Sequence, residues 1–488
     1  MFRQIRPILL SAAAFAPLLL ASTAEAAKYD VTVDANVSYR IWIPDNVATI
    51  KGVLIHMNGS GDDDRMSVDD SSFYESFVTP MDFAYIGSFY QGQGSVDAPL
   101  TALTQFATMS NHPELANAPL LVEGISLGGY NAIAFAMAHP ERTIAYVNAA
   151  TRSFPAFKAA AKKTPSLHMI GSLETTRVAA FVTGVTNLRG QGHQAGYFGQ
   201  WDVEHKWGQG VWPARNFLAA CYVLRYPAGA SPKAGPVTLV DLDDNAGWLL
   251  DPATYDTSFA TIAPASGATS PLTKFWTPTE DIATIVRGHA THEKPASFVG
   301  QSMSVWSPLE VKVGDSVPLK VAVDAGFPNV AKVKIYDGAT LVKELTQAPY
   351  DTTWTATRPG THGIVAVAVD TAGAQRTGFS LPIVVAGMAP SGGTGPVTDG
   401  GGGGMTGDGG SSEAGSDDDS GMTGTADGGP GATPIADADG GIANGAAPAA
   451  GDNGGCGCRE GVGSAAGSGG AVASLLALAA FARRRRQS

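Results

Sequence analysis

The sequence predicts an α/β domain built on a mostly parallel sheet with flanking helices, then a small extension and a β-sandwich. Three observations predict it. Apolar runs at residues 50–57, 83–87, 119–122, 144–147 and 167–170 recur at spacings that admit a helix between neighbours. The first of them is continuous rather than alternating, as a strand is when both faces of its sheet are covered. Beyond Pro308 the rhythm changes to short alternating stretches at residues 309–321, 330–337, 340–346, 350–354, 363–370 and 376–385, the pattern of two packed sheets.

Taken in order, the chain opens with the charges of Arg3 and Arg6, an apolar run over residues 7–21 and the small-x-small triplet Ala24-Glu25-Ala26. That is the layout of a secretory signal peptide, residues 1–27, because the run is short and ends in a cleavage site. Residues 29–33 and 37–44 alternate and predict two antiparallel strands ahead of the first parallel one. The parallel strand runs into Asn58-Gly59-Ser60-Gly61-Asp62-Asp63, a tight turn. Further on, the strand ending at Val122 and a helix over 127–139 enclose Gly124-Ile125-Ser126-Leu127-Gly128. A serine at so sharp a strand-to-helix turn has strained dihedrals and crowded neighbours. Glycines on either side relieve the crowding, and the hydroxyl then stands clear above the sheet.

On that motif in that place, residues 28–228 resemble the α/β-hydrolase superfamily, and within it the secreted polyester and feruloyl-type esterases of the polyhydroxybutyrate depolymerase group. The resemblance implies Ser126 as nucleophile. It implies an oxyanion hole from the N–H of Leu127 and of Ser60, with Gly59 as the alternative to Ser60. The superfamily often has His-Gly where this chain has Asn58-Gly59, and the glycine that permits the turn is kept. Leu167 to Glu174 has the family's strand-Gly-x-x-acid form, so Glu174 is the expected acid and Asp202 the alternative. His205 follows a strand-like stretch and precedes a helix that ends in Leu224-Arg225-Tyr226-Pro227, as in related secreted esterases. It is the expected base, with His193 the alternative. His56 and His168 read as core or supporting residues. Trp201, Trp207 and Trp212 fit either packing or an aromatic acyl or sugar site. The implied reaction is hydrolysis of a small or polymeric carboxylic ester through an acyl-enzyme, with no metal and no cofactor. A serine peptidase and a non-catalytic binding protein on the same scaffold are the alternatives.

Residues 229–297 read as an extension packed on the catalytic domain. Their acidic run Asp241, Asp243 and Asp244 lacks EF-hand spacing and reads as a solvated turn. Residues 298–386, with the strand-end turn Asp370-Thr371-Ala372-Gly373, resemble the Ig-like modules of bacterial surface proteins. Contact with glycan or cell envelope and a plain spacer role both fit. Residues 387–454 form a Gly/Asp-rich linker, and from 387 to 460 eleven acidic residues face a single basic one, Arg459. Such a segment holds too little apolar surface to fold and is expected to be a flexible tether.

Residues 455–488 carry Cys456 and Cys458, an apolar stretch over 461–482 and Arg483 to Arg486. They resemble the C-terminal sorting tag of myxobacterial surface proteins. That implies processing by a sorting machinery, a transmembrane helix with its arginines on the cytoplasmic side, and a destination at the cell surface, the outer membrane or outside the cell. Cys221 is the one cysteine of the folded part, so no disulfide forms within it. The formal charge of −12 gathers largely in the linker, and no basic stripe with interleaved aromatics marks a nucleic-acid partner.

Overall fold

The computed structural model describes residues 26–387, except 46, 71, 253–259, 301–308 and 328. All but the end of the signal peptide, the linker, and the sorting tag with Cys456 and Cys458 lie outside the described residues.

Strands β1 (Ala27–Asp34), β2 (Val37–Ile43), β3 (Gly52–Met57), β4 (Phe83–Tyr90), β5 (Leu120–Ile125), β6 (Thr143–Ala149), β7 (Ser166–Gly171) and β8 (Ala195–Gln200) form one sheet. Its order is β1-β2-β4-β3-β5-β6-β7-β8. The first two strands are an antiparallel pair joined antiparallel to β4, and β3 to β8 run parallel. Every residue of β3, β5, β6 and β7 is buried. Burial on both faces explains why these strands are apolar without alternation. Helices α1 (Ser67–Asp70), α2 (Ser72–Val78), α3 (Ala98–Ser110), α4 (Leu127–Ala138), α5 (Val178–Gly190) and α6 (Val211–Arg225) connect and cover the strands. This is the mostly parallel sheet with flanking helices that the sequence predicts. The register Met57 to Gly124 sets the C-terminal ends of β3 and β5 side by side, which is where the site forms.

The extension contributes β9 (Trp248–Leu250), β10 (Ile262–Pro264) and β11 (Phe275–Thr277), a small sheet of order β10-β9-β11, and helix α7 (Glu280–Ala290). Buried arginines tie it down. The Arg189 guanidinium donates to the carbonyls of Lys274, Pro271 and His193, and that of Arg225 to those of Thr143, Ile144 and Val240. The acidic run is used locally: Asp243 accepts from Asn245 N–H, and Asp244 accepts from the Gln194 side chain and pairs with Lys163.

The sandwich holds β12 (Ala296–Phe298), β13 (Leu309–Val311), β14 (Ser316–Val323), β15 (Val330–Asp337), β16 (Thr340–Leu345), β17 (Tyr350–Thr355), β18 (Gly360–Asp370), β19 (Gln375–Thr377) and β20 (Leu381–Val385). One sheet runs β12-β14-β17 and the other β13-β20-β18-β15-β16, with β19 on β18. Leu319, Val321 and Trp354 meet Ile335, Ile364 and Ile383 in its core.

Strand β18 is buried on both faces. Ile364, Ala366 and Ala368 point into the sandwich core, while Val365, Val367 and Val369 join the core of the α/β domain. The period of two along one strand thus serves two cores. Asn216 on α6 donates to Thr361 O, and Ala339 N–H donates to Asp281 Oδ1 on α7. The sandwich is therefore packed directly against the α/β domain.

Candidate active site

Ser126 sits between β5 and α4 with φ 57° and ψ −121°, a conformation that costs a residue with a Cβ on the order of 1–3 kcal/mol. The neighbouring chain leaves no room for alternatives. A methyl group at Gly124 would lie 2.2 Å from Gly128 O, and one at Gly128 would lie 1.8 Å from Met57 O. The serine N–H donates to Ala149 O, which ties the turn to β6.

The loop after β3 flanks this turn. A methyl group at Gly59 would lie 3.7 Å from Ser126 Cβ. Gly59 N–H donates to Asn58 Oδ1 at 2.8 Å, so the alternative oxyanion donor is already engaged. Among the described residues, no acceptor takes the N–H of Ser60 or of Leu127. Leu127 opens α4, where the first N–H groups have no partner within the helix and the dipole favours negative charge.

At the ends of β7 and β8, two loops are stitched together. Ser172 N–H donates to Gln200 O, Leu173 N–H to Val203 O, and Asp202 N–H to Ser172 Oγ. A side chain at Gly171 would strike Val203 O at 2.2 Å, so that glycine lets the two loops meet. The result joins Glu174 to His205, with Oε2 and Nδ1 at 2.6 Å. The Glu174 side chain is almost wholly buried, and that of His205 is 36% exposed. Arg177 Nη1 lies 3.2 Å from the same Glu174 oxygen and 2.8 Å from His205 Nδ1. No hydrogen bond joins Ser126 to His205 in this conformation.

A model of the bacterial Ig domain matches residues 303–366. No curated protein matches the chain. Among solved structures it is similar to substrate-bound FphF, a fluorophosphonate-binding serine hydrolase of Staphylococcus aureus. Identity there is 11% and the TM-score 0.30, over 40% of this chain and 98% of that one. It is also similar to a thermostable esterase, 14% identical with TM-score 0.28 over 34% of this chain, and spans about half (51%) of that protein's length. Fibronectin(III)-like modules of Clostridium thermocellum CbhA are 26% identical, with TM-score 0.17, over 18% of this chain and 93% of theirs.

The two rival assignments from sequence do not reach this place. His193 precedes β8 at the N-terminal end of the parallel strands, whereas Ser126 stands at their C-terminal end. Burial, with Lys162 beside it, pushes its imidazole down to about 4. Asp202, at φ 58°, turns its exposed carboxylate toward His292, 3.9 Å away, and not toward His205. Two of the three tryptophans also depart from the pocket reading. Trp212 packs edge-on against Phe73, and Trp207 lies against the His56 ring, both buried. Trp201 stacks on His292 at 4.4 Å and donates to Ala290 O.

Beneath the site lies a charged network that the sequence reading missed. Arg215 on α6 grips both oxygens of Glu123 at 2.6 and 2.7 Å, and His56 Nδ1 lies 2.7 Å from Glu123 Oε1. Burial raises the Glu123 carboxyl, but Arg215 and His56 outweigh it and hold the group below its ordinary value. Burial lowers the His56 imidazole, but Asp64 and Glu123 outweigh it and hold the ring above its ordinary value. The Arg215 guanidinium also lies over the rings of Phe73, Tyr74 and Phe77, between 4.8 and 5.1 Å from their centroids. Glu123 stands three residues before Ser126 and Asp64 two residues after Asp62, so this network anchors both chains that meet at the site. An acid inside an apolar strand was its one visible sign.

Proposed function

We propose that this chain is a serine hydrolase that cleaves carboxylic esters, with Ser126 as nucleophile, His205 as base and Glu174 as the acid that orients it. The observation that carries the reading is the Glu174–His205 pair on the same edge of the sheet as the strained Ser126 turn. With Nδ1–H donated to Glu174, the Nε2 lone pair is the base. Ser126 Oγ attacks the acyl carbon and passes its proton to Nε2. The tetrahedral oxyanion is held by the N–H groups of Leu127 and Ser60, both free of protein acceptors. On collapse the leaving alkoxide takes the proton from Nε2. Water then repeats the steps on the acyl-serine and frees the acid. The terminal segments support an exported, surface-held location for this activity, with the acidic linker as tether and the sorting machinery as partner. The sandwich is then the face available to glycan or envelope.

A neutral fluorophosphonate probe tests the assignment. The wild type is expected to label and Ser126→Ala not to. Glu174→Gln is expected to lower kcat about 10²- to 10⁴-fold, because the wrong tautomer is then favoured. A folded wild type that never labels ends the proposal. One observation favours a second reading, a binding protein on a hydrolase scaffold. Arg177 Nη1 lies as close to His205 Nδ1 as a hydrogen bond requires, and a proton donated there would place the imidazole hydrogen on Nε2. Absence of labelling together with an intact fold would select it.

A further inference from the structure

The loop after β3 presents three consecutive carboxylates, and they have different fates. Asp63 is held by Arg65, Nη2 to Oδ2 2.6 Å. Asp64 is turned inward to Ser67, Tyr85 and His56. Asp62 has no such partner: among the described residues no cation lies within ion-pair distance of it. Its carboxylate oxygen lies 2.9 Å from where a methyl group on Gly59 would stand, and Ser126 Cβ lies 3.7 Å from that same point. Asp62 and the nucleophile thus flank one glycine. Burial raises the Asp62 carboxyl above its ordinary value, and the charge of His205 opposes that shift.

We propose that Asp62 is a specificity residue of the site: an unpaired carboxylate beside Ser126 that disfavours anionic esters and favours cationic or hydroxyl-bearing ones. The inference rests on the hydrolase reading above. A negative charge on the loop beside Ser126, partly shielded from water, acts on a second charge brought there far more strongly than an exposed residue does. Hydroxyl and ammonium groups would instead donate to it. The neighbouring carboxylates cannot substitute, because Asp63 is paired with Arg65 and Asp64 is turned inward to Ser67, Tyr85 and His56.

Three para-nitrophenyl esters of equal acyl length test this: the neutral hexanoate, the adipate with one free carboxylate, and the trimethylammonio-hexanoate. In the full chain, kcat/KM is expected to be highest for the cationic ester and lowest for the anionic one. In Asp62→Asn the anionic ester should gain about tenfold, the cationic one lose a similar factor, and the neutral one change little. A second measurement needs no variant. Raising the salt from about 0.01 M to about 1 M shortens the screening length from about 30 Å to about 3 Å and should draw the three wild-type values together. Labelling by the neutral fluorophosphonate and turnover of the hexanoate are read first, and their absence would sink the hydrolase reading itself. Labelling and turnover with no ordering by charge, or with an ordering that Asp62→Asn leaves intact, would overturn the Asp62 proposal alone.

Discussion

His168 shows what one buried residue contributes beyond the site. Its ring lies inside β7, in contact with Asn148 Nδ2 and Ser166 Oγ, and burial first, then His193, pushes its imidazole down to about 3. In the unfolded chain an imidazole titrates near 6.5. Between those two values the unfolded chain binds a proton that the folded chain refuses. The stability this group contributes is therefore complete above about pH 6.5 and is lost as the pH falls toward about 3. The slope is about 1.4 kcal/mol per pH unit for one such group. His289, held by Ser380 and pushed down to about 3 by burial and then by Lys294, adds to it with the same sign. Urea midpoints measured between pH 7 and 4 are expected to fall, with a shallower fall in His168→Gln. Parallel curves for the two proteins would show that His168 is not the buried neutral base described. At this scale the sequence was readable for positions set by a turn or a loop: the strained turn at Ser126 and the meeting of Glu174 with His205. It was silent on Arg215, because an arginine in an apolar helix pattern gives no sign of which buried carboxylate it meets.

Elements were legible wherever period and glycine spacing carried the physics. The central strands stood out as continuous apolar runs, and the Ser126 turn by its two glycines. Which loops touch was not legible. The stitching of residues 171–173 to residues 200–203 rests on two backbone bonds that any sequence could make, one Ser172 hydroxyl and the bare Gly171. The aromatic content of residues 201–212 reads the same whether the rings line a pocket or, as with Trp207 and Trp212, fill a core. A comparison of two glycines tests the reading of the elbow. Gly128→Ala must push its methyl against Met57 O and Asn58 O, both backbone atoms with nowhere to go. It is expected to cost about 1–3 kcal/mol, as overpacking does, and to displace the loop bearing Ser60 so that turnover collapses. Gly92, in the turn that follows β4, has nothing within 4 Å of its would-be methyl and no left-handed φ. Gly92→Ala should stay within about 0.5 kcal/mol and keep full turnover. Thermal midpoints with ester turnover decide it, and a Gly128→Ala protein as stable and active as wild type would refute the close approach of α4 to β3.

For the whole molecule, the decisive feature is that β18 serves two cores. The run Ile364 to Val369 is apolar without a break, which in an isolated sandwich would leave every second side chain in water. Read as one more alternating strand, the stretch hid its covered outer face. What covers it, α6 and α7 with the valines Val365, Val367 and Val369 in the α/β core, required the structure. The seam extends to the candidate base as well, because Trp201, four residues before His205, is held by Ala290 and His292 just beyond α7. Two truncations should therefore behave oppositely. A chain ended after Gly387 keeps β20, the seam and every contact described here. If the removed segment is the tether proposed above, this chain is expected to hydrolyse small esters at the full rate with an unchanged thermal midpoint. A chain ended after Thr291 loses Val365, Val367 and Val369 from the α/β core and uncovers Ile285, which packs against Gly363. Each apolar side chain lost from that core or returned to water costs on the order of 1.5–3 kcal/mol, together a large share of a net stability of about 5–15 kcal/mol. That shorter chain is expected to aggregate or to melt far below the longer one, and any soluble fraction to lose turnover. If it instead folds and hydrolyses esters like the longer chain, the sandwich is an independent module and the seam contributes nothing to the site.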